Sequence, residues 1–155
     1  MPQISKGGKF IFGWSVINND LSVQSPTKAI EEYAICSEGK IILISGSRAT
    51  GGFSVSKKEL LKPSIFRNLF QEFPELDACN TSEGELYPYK GRRFAWLEIG
   101  AVGKITLTEN LLRGLELQKG GRLLSIRSSN IAFTMGRRGR LINQANDYPE
   151  EIEIF

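Results

Sequence analysis

The spacing of hydrophobic positions divides the first half of the chain into five elements. Apolar and aromatic side chains at alternate positions predict a strand over Lys9 to Ile17 and, after a polar turn, a second strand over Leu21 to Ser25. Helical spacing then predicts a short helix over Thr27 to Ala34. A third strand over Lys40 to Ser45 and a short fourth strand over Phe53 to Val55 complete the series.

The same order of elements recurs in the second half. Strands are predicted over Arg93 to Ile99, Lys104 to Leu107, Arg122 to Arg127 and Ile131 to Phe133, with a helix over Glu109 to Leu115 between the second and third strands. The chain is therefore expected to be mainly β with short helices, an α+β fold built from two β-β-α-β repeats.

An internal repeat underlies this recurrence. A shift of 82 positions lays residues 8–47 over residues 90–129 without a gap, so that Trp14 coincides with Trp96. Other apolar and cationic positions of the two segments stay in phase. A repeat of this kind predicts architecture more strongly than any single motif does.

Capping residues predict where three helices begin. Ser25 is the expected N-cap of the first helix, with Pro26 at its first position, and Thr108 is the expected N-cap of the helix in the second half. Between the halves, Ser56 and Glu59 have the spacing of a capping box, so a helical connector is expected to follow.

The connector and the chain end are less regular. Pro63 is expected to interrupt the connector and Pro74 to stop it, and residues 75–90 are expected to form a polar loop. The acidic end, Asn143 to Phe155, fits either a short edge strand or a tail that docks on the basic half.

Length and composition indicate one compact domain. The chain has 155 residues, of which 41% are hydrophobic and 24% charged, typical of a globular protein. Repeat one spans about 8–56, the connector about 57–89, repeat two about 90–142 and the acidic tail 143–155. The sequence contains neither an apolar run of roughly 20 residues nor a secretory signal. We therefore expect a cytoplasmic protein without a membrane partner, in which Cys36 and Cys79 are reduced thiols.

Charge is distributed unevenly along the chain. The net charge is +3, but residues 88–142 hold eleven Lys and Arg against three Glu, a net of +8, whereas residues 1–87 are nearly balanced. A basic half indicates an anionic partner such as nucleic acid, or else a solvated cationic surface that the acidic tail partly neutralises. The sequence leaves both interpretations open.

One motif resembles a known family. The segment Gly103-Lys104-Ile105-Thr106-Leu107-Thr108, a short helix and the turn Lys119-Gly120-Gly121-Arg122 resemble the AbrB/SpoVT-like family of swapped-hairpin domains, which has Gly-Arg-Ile-x-Leu-Pro, a helix and a Gly-Asp-x-Leu turn. The first half has the same frame at Val23 to Pro26 and Glu38 to Ile44. Thr108 replaces the usual proline of the family.

The resemblance implies both a fold and a function. Family members interlock the hairpins of two short chains into one barrel, so two fused copies imply an intrachain pseudo-dimeric swapped-hairpin barrel, as a monomer or a homodimer. Such domains often bind DNA through basic residues on one face, and many are transcription regulators or antitoxins. The positions that match the family motif imply DNA contacts for Lys104 and Arg122.

Further candidate DNA contacts follow from charge. Guanidinium groups pair bidentately with phosphate oxygens, and each neutralised phosphate makes binding more salt dependent. For each candidate the alternative is a solvated or intrachain-paired side chain. With Lys104 and Arg122, the candidates are Arg92, Arg93, Arg113, Arg127, Arg137, Arg138 and Arg140, the last three in the cationic turn that begins at Gly136.

A glycine-rich loop is a second candidate site. Its backbone amides are able to surround an anion, although it lacks the Lys-Ser/Thr and the helix that follow a P-loop. The favoured alternative is an adaptable connection between two strands. The candidate ligand-binding residues of this loop are Gly46, Ser47, Arg48, Gly51 and Gly52.

Other chemistries have little support. The chain has no histidine, which removes His-ligated metal sites, Ser-His-Asp triads and Cys-His dyads. No enzyme activity, metal or cofactor is expected. The aromatic residues Phe12, Trp14, Phe94 and Trp96 alternate along the first strand of each repeat, which favours a place in the barrel core over base stacking.

The sequence therefore favours a DNA-binding regulator of AbrB-like type whose basic second repeat contacts phosphates. Two alternatives remain. The first is a protein-interaction module that has lost DNA binding and holds a protein partner through the glycine-rich loop or the acidic tail. The second is a barrel that binds a small ligand in its mouth.

Overall fold

The computed structural model describes residues 10–148 and 151–155, and strands carry most of the regular structure. The strands are β1 Ile11–Val16, β2 Ser22–Gln24, β3 Lys40–Ser45, β4 Phe53–Ser56, β5 Tyr87–Tyr89, β6 Arg92–Glu98, β7 Lys104–Thr106, β8 Arg122–Arg127 and β9 Phe133–Gly136. The helices are α1 Thr27–Tyr33, α2 Lys58–Leu61, α3 Leu69–Glu72, α4 Pro74–Ala78, α5 Glu109–Gly114 and α6 Arg140–Asn146. The predicted α+β class, mainly β with short helices, is confirmed.

Strand pairing joins the two halves of the chain. Seven strands form one antiparallel sheet in the order β1-β8-β9-β4-β3-β6-β5, and β2 pairs with β7 in a separate two-stranded sheet. The first strand of each half thus pairs with the third strand of the other half, as β1 with β8 and β6 with β3. Within the described residues the large sheet ends at β1 and β5, and no strand pairing closes it into a barrel.

The two pairings between the halves have the same register. Trp14 lies opposite Leu124 in the pair β1–β8, and Trp96 lies opposite Ile42 in the pair β6–β3. A shift of 82 positions converts the first pair of residues into the second. Val23 lies opposite Ile105 at the centre of β2–β7, and these two residues are also 82 positions apart.

Alternate residues of the strands point to opposite faces of the large sheet. One face carries the main core, which includes Leu43, Val55, Leu123 and Phe133 together with residues of α1 and α5. We call the opposite side the outer face. It carries two smaller hydrophobic clusters, one beneath α2–α4 and one beneath α6 and the C-terminal segment.

The tryptophans lie in the two outer clusters rather than in a shared core. Trp96 packs in the cluster beneath α2–α4 and Trp14 in the cluster beneath α6, whereas Phe12 belongs to the main core. A β-bulge between Ile11 and Gly13 inserts one residue into β1, which reverses the alternation between Phe12 and Trp14. The tryptophans are therefore buried, as predicted, but they do not share one core.

The predicted caps have different outcomes. Thr108 caps α5, because its Oγ1 accepts a hydrogen bond from the Leu111 amide at 3.1 Å. Ser25 does not cap α1, since its buried hydroxyl has no hydrogen-bond partner among the described residues and α1 begins only at Thr27. Ser56 does not form a capping box, because it ends β4 and its hydroxyl donates to the Ile131 carbonyl at 2.5 Å.

The connector and the chain end contain more structure than predicted. The helix α3 ends at Glu72, just before Pro74, as predicted. Pro74 is also the first residue of a further helix, α4, a position that suits a residue without an amide hydrogen. The predicted loop 75–90 also contains β5. The helix α6 occupies the start of the predicted acidic tail.

The C-terminal segment forms an edge pairing with β1. The Trp14 amide donates to the Glu153 carbonyl and the Phe155 amide donates to the Trp14 carbonyl, both at 2.8 Å. Ile154 lies beside Trp14 in a parallel bridge. Of the two interpretations of the acidic end, the structure supports the edge strand, and it places this strand beside the first half of the chain.

Candidate functional site

Five arginines from separate parts of the sequence gather at one end of the large sheet. At this end β3 leads into the loop Gly46–Gly52, β6 begins, and β9 leads into the turn before α6. These segments carry Arg48, Arg92, Arg93, Arg137 and Arg138, which we call the arginine cluster.

The glycine-rich loop and the cationic turn form one structure. The amides of Arg137 and Arg138 both donate to the Thr50 carbonyl, at 2.8 and 2.9 Å, and Arg138 Nε donates to the Arg48 carbonyl at 3.0 Å. Gly52 has a φ of +63°, and a Cβ there would overlap the Met135 carbonyl oxygen, so only glycine allows this close approach. The two sites that the sequence suggests separately are therefore adjacent.

Two further arginines are positioned by backbone carbonyls. Arg92 Nη1 donates to the Ser45 carbonyl at 3.1 Å, and Arg93 Nη2 donates to the Gly114 carbonyl at 2.6 Å. A guanidinium has five N–H donors, so each side chain keeps donors for a ligand. Arg48, Arg93 and Arg138 line a cavity of about 200 Å³ at the loop, with Glu116 as its acidic residue.

The cluster keeps its positive charge uncompensated. Within residues 10–148 and 151–155, the one arginine that forms an ion pair is Arg127, with Glu32. Neither Glu151 nor Glu153 pairs with an arginine in this part of the chain. The cluster is thus a concentration of cationic donors without carboxylate partners among the described residues.

Three of the seven backbone amides of the glycine-rich loop donate hydrogen bonds within the loop. The Gly46 amide donates to the Gly52 carbonyl at 3.0 Å, and the Gly51 amide donates to the Ser47 carbonyl at 2.8 Å. The Thr50 amide donates to Ser47 Oγ at 3.3 Å. These three amides are therefore already occupied, whereas the arginine side chains at this loop keep donors available.

Arg127 lies at the opposite end of the sheet and is engaged within the chain. Its Nε donates to Glu32 Oε2 at 2.7 Å, its Nη2 donates to the other oxygen of the same carboxylate, and its guanidinium stacks 4.6 Å from the Phe10 ring centre. The hydrogen bonds from Arg127 lower the pKa of Glu32 below its ordinary value and the partnership raises the pKa of Arg127. Of the two alternatives for Arg127, a DNA contact or an intrachain pairing, the structure contains the intrachain pairing.

The two positions that match the family motif lie outside the cavity at the loop. Arg122, at the start of β8, stacks 4.2 Å from the ring centre of Trp14. Its counterpart in the repeat, Lys40, lies 5.5 Å from the ring centre of Trp96. Lys104, in the two-stranded sheet, has Asp20 as a charged neighbour, and hydrogen bonds from Ser22 are the main cause of the lowered pKa of Asp20.

The remaining two candidates are exposed helix residues. Arg113 lies in the last turn of α5, next to Gly114, whose carbonyl holds Arg93. Arg140 begins α6, two residues after Arg138. Arg140 therefore extends the cationic surface beside the cluster, whereas Arg113 does not line the cavity.

Sequence reasoning placed Arg48 in the ligand loop and did not count it among the cations that bind phosphate. Its neighbours in the cluster are 44 to 90 positions away along the chain. The one feature of the sequence that points to Arg48 is its position between glycines, in a loop that is longer than its counterpart in the second half.

Comparison of the chain with protein-family models and with curated proteins found no match. None of the helices in the described residues is long and apolar enough to cross a membrane.

Proposed function

We propose that the chain is a nucleic-acid-binding protein, a DNA-binding regulator of AbrB-like type that contacts phosphates through the arginine cluster. The second repeat supplies Arg92, Arg93, Arg137 and Arg138, and the loop of the first repeat supplies Arg48. The proposed binding surface therefore includes residues of both repeats, and not of the second repeat alone.

The observation that carries the proposal is the convergence of five arginines without carboxylate partners among the described residues. Placing like charges close together is unfavourable unless a counter-charge offsets their repulsion. A phosphate backbone supplies such counter-charges at regular intervals and accepts the bidentate hydrogen bonds that guanidinium groups offer. Backbone carbonyls hold Arg92, Arg93 and Arg138 in place, which reduces the entropy lost on binding.

The strand pairing supports a proposal about how the two repeats are arranged. If two swapped-hairpin units are fused in one chain, the first strand of each unit should pair with the third strand of the other in an equivalent register. The pairs β1–β8 and β6–β3 have this relationship over Trp14–Leu124 and Trp96–Ile42. We therefore propose that the two β-β-α-β repeats interlock as an intrachain pseudo-dimeric barrel.

The alternative of a protein-interaction module has less support. The acidic C-terminal segment already pairs its backbone with β1 through Glu153 and Phe155. One side of this segment is therefore already hydrogen bonded within the chain.

The test is the salt dependence of duplex binding. A labelled duplex of about 20 base pairs is titrated with the protein at several salt concentrations and followed by fluorescence anisotropy. Each phosphate contact contributes about −0.9 to the slope of log affinity against log salt. The triple variant Arg48→Gln, Arg93→Gln, Arg138→Gln should lower the steepness of this slope by about 3 and weaken binding about 100-fold or more at low salt.

A matched control removes the same net charge elsewhere. The variant Lys28→Gln, Arg67→Gln, Lys119→Gln changes three exposed cations outside the cluster and should retain most of the affinity. Equal losses in the two variants would indicate binding by net charge alone and would refute the role of the cluster. Absence of duplex binding by the native chain at low salt would refute the proposed function.

A further inference from the structure

The outer face of the large sheet is covered on both sides and open in the middle. On one side, residues of α2–α4 pack over β3 and β6. On the other side, residues of α6 and the C-terminal segment pack over β1 and β8. Between these two layers lie the outward-facing residues of the central strands β4 and β9, and this uncovered strip forms a groove.

Hydroxyl groups form the floor of the groove. Ser54 of β4 lies opposite Thr134 of β9, and their hydroxyl oxygens are 3.0 Å apart. The residues on either side in the same cross-strand row are apolar: Ile44 lies opposite Ser54, and Ile126 lies opposite Thr134. The row therefore changes from apolar to polar residues only where no helix covers it. This polar floor suits a polar ligand better than it suits another packed helix.

The groove contains enough space for a small molecule. A cavity of about 460 Å³ is lined by Ser54 and Thr134 on the floor, by Phe66 and Ile131 on apolar walls, and by Lys90 and Arg92. A second cavity of about 180 Å³ shares Ser54, Arg92, Ser128 and Thr134 with the first, so the two cavities are adjacent. Ligand sites commonly enclose about 300–1,000 Å³.

One rim residue of the groove has no packing role. Ile65 lines the larger cavity and is 81% exposed. A large, solvated aliphatic side chain beside an aromatic wall gives an apolar ligand a second surface to contact.

We propose that this groove binds a small organic anion with an apolar body. Arg92 and Lys90 receive the anionic group, which is a carboxylate or a phosphate, and Phe66, Ile65 and Ile131 contact the apolar body. The hydroxyls of Ser54 and Thr134 bind polar substituents between them. The proposal does not rest on nucleic-acid binding. Only one of the five arginines in the cluster, Arg92, lines the groove.

The test uses a matched set of fluorescent probes on the full chain. The native protein is titrated with 2-naphthyl phosphate, 2-naphthoate and the neutral 2-naphthol, and inorganic phosphate is added as a competitor. At least one of the two naphthyl anions should bind saturably and at least about tenfold more tightly than 2-naphthol, because the charged group pairs with a guanidinium. Tighter binding of the phosphate ester identifies a phosphorylated ligand, and tighter binding of 2-naphthoate identifies a carboxylate.

Variants separate the groove from the arginine cluster. Arg92→Gln should weaken binding of the preferred anion by about tenfold or more, and Ile65→Ser should weaken it while retaining the fold, since Ile65 is largely exposed. Arg48→Gln and Arg67→Gln change residues that do not line the groove and should leave binding unchanged.

Three results would overturn the proposal. The first is the absence of saturable binding by both naphthyl anions. The second is a loss with Arg48→Gln equal to that with Arg92→Gln, which would place the anion at the arginine cluster. The third is unchanged binding in both Ile65→Ser and Arg92→Gln. Duplex binding by Ile65→Ser is measured in parallel, so that failure of the groove and failure of the proposed DNA contact are distinguished.

Discussion

In each half, one connection follows the third strand. The two connections have corresponding places in the repeat but differ in the charge of their surroundings. Gly46–Gly52 joins β3 to β4 at one end of the large sheet, and Ser128–Ala132 joins β8 to β9 at the other end. The first lies among the arginine cluster. The second lies next to Arg127, whose charge is paired with Glu32.

Neighbouring side chains hold the second connection. The Tyr33 hydroxyl donates to the Ser129 carbonyl at 2.6 Å, and the Ser128 hydroxyl donates to the Ala132 carbonyl at 2.8 Å. Burial raises the pKa of Tyr33 to about 12, so this donor keeps its proton. At the first connection the cationic turn and a glycine-rich backbone make the corresponding contacts. The large sheet thus has one end at which an arginine is paired with a carboxylate and another end at which arginines lack carboxylate partners among the described residues.

The largest expected effect on stability is at the close approach of the loop to β9. Gly52→Ala should lower the free energy of unfolding by about 3 kcal/mol, because the new Cβ overlaps the Met135 carbonyl at a positive φ. Gly39→Ala has a similar φ with no atom within 4 Å and should cost only about 1 kcal/mol. Urea denaturation measures both, and equal costs would show that the loop does not depend on this contact.

The next effect distinguishes a paired arginine from a cluster arginine. Arg127→Ala should lower the free energy of unfolding by about 1 kcal/mol, because it removes a partly exposed ion pair and the stacking on Phe10. Arg48→Ala should change stability by less than about 0.5 kcal/mol and should weaken duplex binding. The same stability loss in both variants, with duplex binding unaffected by either, would contradict the distinction.

A smaller effect is expected from pH at the paired end. The hydrogen bonds from Arg127 lower the pKa of Glu32 in the folded chain. The resulting stability is present above the unfolded pKa of about 4.3 and is lost as pH falls through the lower folded value. From about pH 5 downward, the native chain should lose up to about 1 kcal/mol more than Glu32→Gln. Parallel urea midpoints for the two proteins across this range would argue against the pairing.

The smallest effect concerns the two stacked cations. Arg122→Gln should lower the free energy of unfolding by about 0.5 kcal/mol through lost stacking on Trp14. Lys40→Gln should cost less, because Lys40 Nζ lies farther from the ring centre of Trp96. Thermal unfolding of the two variants measures the difference, and a larger loss for Lys40→Gln would reverse the expected order.

Local signals predicted most of the elements. Alternation located most strands of both halves, although β9 runs over Phe133–Gly136 rather than Ile131 to Phe133. Thr108 capped its helix as expected, because capping depends on residues within a few positions of one another. The bulge in β1 was not predicted, because a single extra residue reverses side-chain direction without altering the sequence pattern. It places Phe12 in the main core, whereas its counterpart Phe94 lies on the outer face with Trp96. The helix α4 was missed because proline both ends and begins helices.

The candidate site was predicted in parts. The cationic turn and the glycine-rich loop were both identified, but their contact through the Thr50 carbonyl was not. Arg127 was grouped with Arg137 and Arg138 by charge, although Glu32, which is 95 positions away, neutralises it. The cavity at the loop and the open groove on the outer face depend on where helices end over the sheet, which composition and spacing do not describe.

The sequence alone determined the order of the elements within the two halves, the 82-position correspondence between them and the excess of positive charge in the second half. Each of these depends on residue type and spacing along the chain. Only the tertiary structure decided that the strands pair between the halves, that Arg48 joins four distant arginines, and that Arg127 is paired. The physical reason is that charge pairing and cavity shape are set by distances in space, and folding brings together residues whose separation along the chain carries no information about contact.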